Sequence, residues 1–270
     1  MLSVLPPEHS RKLSSTVVIP ARYESTRFPG KPLARLAGKP MIEHVYRRAA
    51  DARGVSGVIV ATDDTRIADA VRAFGGQAMM TRTSHATGTD RLAEVAAQLD
   101  CDLVINVQGD EPLVAPEMIE QAIAPFASDA SLQMTSLRSP IRGAEDLHDP
   151  NVVKVVVDRD DFALYFSRAP IPWVRDTGGT TAMEAWRHIG LYGYRRTFLP
   201  QFAAMAPTPL ERLERLEQLR ALEHGIKIKV LATSFEAIGV DTPADLARVE
   251  ALMTAGVESG GLRRAPHSDG

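Results

Sequence analysis

A short β-branched run that meets a proline and opens onto a basic loop sets the frame for this chain. Residues 16–19 read TVVI, which suits a buried strand. Pro20 is expected to end that strand, because proline offers no N–H to a central ladder. The loop beyond it carries Arg22, Arg27 and Lys31 among Ser25, Thr26, Pro29 and Gly30, and a helical pattern starts at Met41. Strand, cationic loop with a glycine, then helix is how open α/β sheets build anion sites at their strand ends. Gly30 would let the backbone come close to a phosphate. Such a loop can equally be plain solvated surface. It is not a Walker A loop: Gly30-Lys31 lacks the upstream glycine, and Gly38-Lys39 is followed by Pro40.

The same rhythm repeats. A helix over 41–52 has Met41, Ile42, Val45 and Ala49 on one face, and 58–61 reads as a buried strand. Asp63 or Asp64 can cap a helix over 65–74, which Gly75-Gly76 stops before a strand at 77–80. The polar loop 81–90, TRTSHATGTD, leads to a helix over 91–99, with Thr89 and Asp90 as its capping residues. That leaves Arg82 and His85 without a helical role. Alternating strands and helices predict a doubly wound, mostly parallel sheet with crossover helices.

Strand 102–107 runs into Gln108-Gly109-Asp110-Glu111-Pro112. A carboxylate there stands at the ligand-binding end of a parallel strand, yet acids and a proline are also ordinary turn chemistry. Further on, a helix is expected over 116–127, with strands over 133–138, 152–157, 163–167, 187–195 and 226–231. Residues 176–186 have no periodicity and read as a loop. The leucines at 210, 213, 216, 219 and 222 predict one helix over 209–222, with Glu211 and Arg215 paired at i,i+4. Glu217 and Gln218 have no such pairing. In GVDTPADL, Thr242, Pro243 and Asp245 start a last helix over 244–253, leaving Asp241 just outside it.

With a net charge of −3, the chain has no electrostatic support for bulk nucleic-acid binding. One cysteine, Cys101, excludes an internal disulfide. With no signal peptide in view it suggests a reducing cytoplasm. No apolar run approaches the roughly 20 residues that cross a bilayer. The ends, residues 1–14 and 257–270, read as disordered tails.

Over residues 16–253 the chain resembles the nucleotide-sugar cytidylyltransferases, and among them the 3-deoxy-manno-octulosonate (KDO) cytidylyltransferases. The strings that carry this are ARYESTRFPGKPL, TRTSHATGTD, VQGDEP, NVVKVVVD, YFSRAPIPW, RHIGLYGYR, LEQLR and GVDTPADL. Thr87 stands where that family commonly has serine. The resemblance implies an α/β nucleotide-binding domain over 15–150 and 209–256, with a smaller β-rich insertion, 151–208, for sugar contacts and dimerisation. It implies transfer of CMP from CTP to KDO for lipopolysaccharide synthesis, by a homodimer that uses Mg²⁺ and neither nucleic acid nor membrane. Ala21, Arg22, Ser25, Arg27, Lys31, Thr87, Gly88, Thr89 and Gln108 are then expected at the nucleotide. Arg82, His85, Gln108, Arg168, His188, Tyr192, Glu217 and Gln218 are expected at the sugar acid, with Arg168 on its carboxylate. Asp110 and Asp241 would hold the metal, and Arg22, Arg27, Lys31 and Asp110 would act on the reacting phosphate. Two alternatives remain at this level: a cytidylyltransferase for another acid sugar, or a non-catalytic nucleotide-binding relative.

Overall fold

In the computed structural model the described residues are 13–24, 28–85, 87–175 and 185–255. Residues 1–12 and 256–270, Ser25, Arg27 and nearly all of the 176–186 loop lie outside them, whereas Ser14, read as part of the tail, donates its hydroxyl to the Asp102 carboxylate at 2.9 Å. The strands are β1 (Ser15–Ala21), a small β2 (Arg35–Leu36) and β3 (Lys39–Pro40) hairpin, β4 (Val55–Thr62), β5 (Gln77–Met80), β6 (Leu103–Asn106), β7 (Met134–Pro140), β8 (Lys154–Val157), β9 (Ala163–Ser167), β10 (Trp186–Arg195) and β11 (Ile228–Ala232). The helices are α1 (Met41–Ala50), α2 (Thr65–Ala73), α3 (Gly88–Ala96), α4 (Pro116–Ile123), α5 (Ala144–His148), α6 (Leu199–Ala204), α7 (Pro209–Glu214), α8 (Gln218–Glu223) and α9 (Pro243–Thr254).

The main sheet runs β11-β7-β10-β6-β1-β4-β5. β6, β1, β4 and β5 are parallel, as are β11 and β7, while β10 is antiparallel to both its neighbours β6 and β7. β8 and β9 pair with each other and hang from β10. Of the span read as an insertion, β10 therefore lies inside the main sheet. Alternation along β1 sends Val17, Ile19 and Ala21 to a core shared with α1, α2 and α4. Val18 faces the other core, built with α3, α6 and α8. Helices thus cover both faces, as the β-α rhythm requires.

Several local expectations are corrected. β1 continues through Pro20 to Ala21, paired to Ala61 and Thr62 of β4. Val18 turns its carbonyl towards β6, where it accepts from Val107 N–H. Pro20, two residues on, faces the same way, but the β6 ladder has already ended at Val18–Asn106. No donor is missed there. The cap of α3 is Thr87, not Thr89 or Asp90: its hydroxyl accepts from Asp90 N–H (3.2 Å) while the Asp90 carboxylate accepts from Thr87 N–H (3.1 Å). The other two helix starts are as expected, with Asp64 capping α2 and Thr242 capping α9.

The single helix over 209–222 is broken. Arg215 adopts a left-handed conformation (φ 55°, ψ 46°) between α7 and α8, and Leu213 is 80% exposed. The cause is tertiary. The Glu214 carboxylate accepts from Ser167 hydroxyl (2.7 Å) and Arg168 N–H (2.9 Å), while the Arg168 guanidinium donates to the Glu214 carbonyl (2.7 Å). These bonds satisfy groups at the end of α7 that a continuous helix would have used. Glu211 accordingly pairs not with Arg215 but with Arg220, at 2.5 Å.

Gly193 tests the fit of β10 in the sheet. A Cβ there would meet the Thr135 hydroxyl and come within 2.9 Å of the Phe126 ring. Gly193→Ala is expected to lower stability by about 1–3 kcal/mol, read from urea denaturation.

Candidate functional site

The chain leaves β1 towards β4 and later enters β6 on the other side of β1, so the crevice beyond their carboxyl ends is a topological switch point. Gly109 follows β6 and packs so tightly that a Cβ would lie 2.9 Å from the Pro20 carbonyl. Val240 N–H donates to the Asp110 carbonyl (2.8 Å), which brings Asp241 beside Asp110. From the other side comes Lys31, carried by a turn in which Gly30 (φ 70°) donates its N–H to the Tyr23 carbonyl (2.9 Å). The Lys31 ammonium lies 2.6 Å from Asp110 Oδ2 and 3.2 Å from Asp241 Oδ1. Three segments far apart in sequence thus meet at one cation.

Three cavities adjoin here. One of about 510 Å³ is lined by Ala21, Arg22, Lys31, Gln108, Asp110 and Asp241, among others. A second, about 800 Å³, shares Arg22 and Glu24 with it and extends to Arg66 and Thr83. A third, about 270 Å³, shares Pro20 and Gln108 with the first and is closed by Thr89, Tyr192, Glu217 and Gln218. Gln108 stands at the junction, its carboxamide nitrogen donating to the Gly190 carbonyl at 3.0 Å. Arg22 donates to the His85 (2.8 Å) and Thr87 (3.3 Å) carbonyls, tying the basic loop to the 81–90 loop.

Not every residue singled out in the sequence reaches these cavities. Gly88 and Thr89 line the small pocket rather than the space beside Lys31, and the Thr89 hydroxyl donates to the Glu217 carboxylate at 2.5 Å. Thr87 is engaged as the cap of α3. Arg82 and His85 both engage Glu94, Arg82 through its N–H and its side chain. The Arg168 guanidinium donates to the carbonyls of Pro150, Glu214 and Arg215, so it braces the α7–α8 break. His188 is buried behind Tyr192, hydrogen-bonded to the Ser136 hydroxyl (2.9 Å) and edge-on to Phe166. Arg215 and Asn106 are among the pocket residues that escaped the sequence reading. Arg215 reaches the wall through its left-handed backbone, which a helical pattern hides. Asn106 did leave a signal, as a carboxamide inside the apolar string DLVINV.

Burial sets the protonation states. It drives the Tyr192 phenol well above its usual range, with the charge of Glu217 adding to the effect. Burial, then the charge of Asp110, pushes the Glu111 carboxyl up to about 7 against the pull of Arg187. Glu111 Oε2 is buried without a hydrogen-bond partner among the described residues. Asp110, its side chain 33% exposed and on the wall of the 510 Å³ cavity, is the strand-end carboxylate that faces a ligand.

A sheet wound to both sides, with a lysine between paired carboxylates at its switch point and a polar pocket alongside, defines an α/β protein built to hold a phosphorylated nucleotide and a second small molecule. The chain belongs to the cytidylyltransferase family, whose model matches residues 16–228. It is 60% identical over 242 residues to the 3-deoxy-manno-octulosonate cytidylyltransferase of Geobacter metallireducens, covering 87% of this chain and 95% of that one. Its identity to the protein of the same name from Syntrophotalea carbinolica is 58% over 245 residues, 88% of this chain and 98% of that one. A solved structure of a CMP:2-keto-3-deoxy-manno-octonic acid synthetase complexed with CTP is 45% identical, with a TM-score of 0.85 over 90% of this chain and 99% of that one. A 4-diphosphocytidyl-2C-methyl-D-erythritol synthase from Anaerococcus prevotii, 13% identical with a TM-score of 0.60 over 90% of this chain and 99% of that one, shares the fold.

Burial, with Arg187 beside it, pushes the His188 imidazole down to about 3. Between there and the unfolded value of about 6.5 the unfolded chain binds a proton that the folded one does not. The His188 contribution to stability is therefore complete above that upper value and falls as pH drops. Glu111 acts in the opposite sense as pH rises towards 7, but it is common to wild type and variant. Between pH 7 and pH 5 wild type is expected to lose about 1–2 kcal/mol more stability than His188→Gln, measured by denaturant titration at each pH.

Proposed function

We propose that this protein transfers CMP from CTP to KDO, forming CMP-KDO and pyrophosphate for lipopolysaccharide synthesis. The observation that carries the reading is the junction at Gln108. On one side lie a lysine and two carboxylates suited to a metal-bound triphosphate, and on the other a polar pocket of sugar size. The names of the relatives, and the CTP in the related structure, support the two substrates.

In this reading the triphosphate lies along the 510 Å³ cavity and draws the Lys31 ammonium off the carboxylates onto its oxygens. Arg22 faces the same cavity and adds charge where the leaving pyrophosphate gains it. The 2-hydroxyl oxygen of KDO bonds to the α-phosphorus, the bond from that phosphorus to the bridging oxygen of pyrophosphate breaks, and the hydroxyl proton passes to solvent. Gln108 holds the acceptor against the phosphate so that attack is in line. Arg215 is the cation on the wall of the sugar pocket and is suited to the KDO carboxylate. Arg168 acts one step back, by holding the α7–α8 turn that presents Arg215.

The acids beside Lys31 fit a divalent cation. A cationic group already sits within hydrogen-bonding reach of both, and the donors are hard oxygens. Among the described residues no group of three or more His, Cys, Asp or Glu forms a metal cage. Two carboxylates suit Mg²⁺, which takes its remaining ligands from phosphate oxygens and water. Asp110 and Asp241 would hold it, and when bound it would supply charge neutralisation at the α-phosphate and a more acidic nucleophile.

A cytoplasmic homodimer completes the proposal. Cys101 is a free, buried thiol, in keeping with a reducing compartment, and Leu164, Trp173 and Leu213 offer exposed apolar surface for a second copy.

Purified protein with CTP, KDO and Mg²⁺ is expected to release pyrophosphate only when all three are present. Release without KDO, or from CTP with another acid sugar alone, would overturn the assignment. Asp110→Asn is expected to keep the wild-type melting temperature and lose about 10²–10³-fold in turnover. Near-normal turnover of that variant at limiting Mg²⁺ would remove Asp110 from the metal.

A further inference from the structure

Asn106 ends β6 in the centre of the sheet, in register with Val18 of β1 on one side and Tyr192 of β10 on the other. The residue is 7% exposed and lines the 270 Å³ pocket, as does Gln108 two positions on. Its carboxamide oxygen is buried with no hydrogen-bond partner among the described residues. Two polar side chains of the same pocket are engaged elsewhere, Gln108 with the Gly190 carbonyl and Thr89 with Glu217. A buried acceptor left unpaired is costly, and folded proteins keep few of them. A leucine would suit the apolar strand Leu103–Asn106 better.

We infer that Asn106 is a specificity-determining residue for the acceptor, reading one of its hydroxyl groups from the floor of the pocket. A hydroxyl is the group that fits. It donates to Oδ1, and it can also accept from the amide nitrogen, whereas a carboxylate would face the oxygen with its own lone pairs. The acceptor carboxylate is drawn elsewhere, to Arg215 on the pocket wall. Binding that depends on a buried acceptor discriminates strongly against an analogue lacking the hydroxyl, because the protein group is then left unpaired. This inference rests on the sugar-acid reading of the pocket given above.

The test compares wild type with Asn106→Leu, which is close in size and has no polar atom, and with Asn106→Ser, which is polar but too short. Steady-state constants are measured for KDO and for its singly deoxygenated analogues, alongside melting temperatures. Wild type is expected to disfavour one of these analogues by about 10-fold or more in kcat/KM. Asn106→Leu is expected to raise the KM for KDO about 10-fold, leave the KM for CTP unchanged, and lose discrimination at that analogue alone. Asn106→Ser should show the same split, which keeps the test in force if the leucine variant does not fold. A merely structural role would lower the melting temperature and shift both KM values together. Either that result or a folded variant with an unchanged KM for KDO would overturn the inference. If wild type does not use KDO, the functional proposal fails on its own evidence. The same comparison is then run on whichever acid sugar wild type accepts, so the two failures remain distinct.

Discussion

One ammonium between two carboxylates joins the parts of this molecule that chemistry would require together. Lys31 comes from the loop after the first strand, Asp110 from the end of β6, and Asp241 from the residue ahead of the last helix's cap. The two acids would repel each other without a cation between them. Backbone geometry brings them together: Val240 donates to the Asp110 carbonyl, and Gly109 allows the β6 exit to press against the Pro20 carbonyl. One ammonium against two carboxylates leaves the site net acidic, so a divalent cation can replace the lysine when a polyanion arrives to take it.

The sugar side is built on a different principle. Its polar groups are held by hydrogen bonds, Gln108 to the Gly190 carbonyl and Thr89 to the Glu217 carboxylate, with Arg215 and Glu217 as its charged wall residues. His188 and Tyr192 are held in their neutral forms by burial. Orientation there comes from β10, whose irregular register between Ile189 and Tyr192 leaves the Gly190 carbonyl to Gln108. A buried polar pocket beside a charged trough separates selection of the acceptor from activation of the phosphate.

Much of this was legible in the sequence where the signal was local or contiguous. The β-α rhythm, the caps at Asp64 and Thr242, and the positions of Asp110 and Asp241 at the ends of their segments all depend on neighbouring residues. What the sequence hid depended on partners far along the chain. Pro20 could stay within β1 because β6 stops short of it, and nothing near Pro20 announces that. The leucine repeat over 209–222 reads as one helix, but Ser167 and Arg168 claim Glu214 and break it, which turns Arg215 into the pocket. The Arg168 guanidinium is occupied at the same break by the carbonyls of Glu214 and Arg215. The motif strings located the right neighbourhood, while the division of labour within it emerged only from the packing.

The central claim is that Asp110 and Asp241 form a cation site from which a bound nucleotide draws Lys31 away. A crystal structure of the protein grown with CTP and Mn²⁺, with anomalous scattering used to place the metal, tests it most directly. The account predicts a manganese peak coordinated by both carboxylates and by triphosphate oxygens, with the Lys31 ammonium moved onto a phosphate. A metal held by the triphosphate alone, with Lys31 still bridging Asp110 and Asp241, would contradict it.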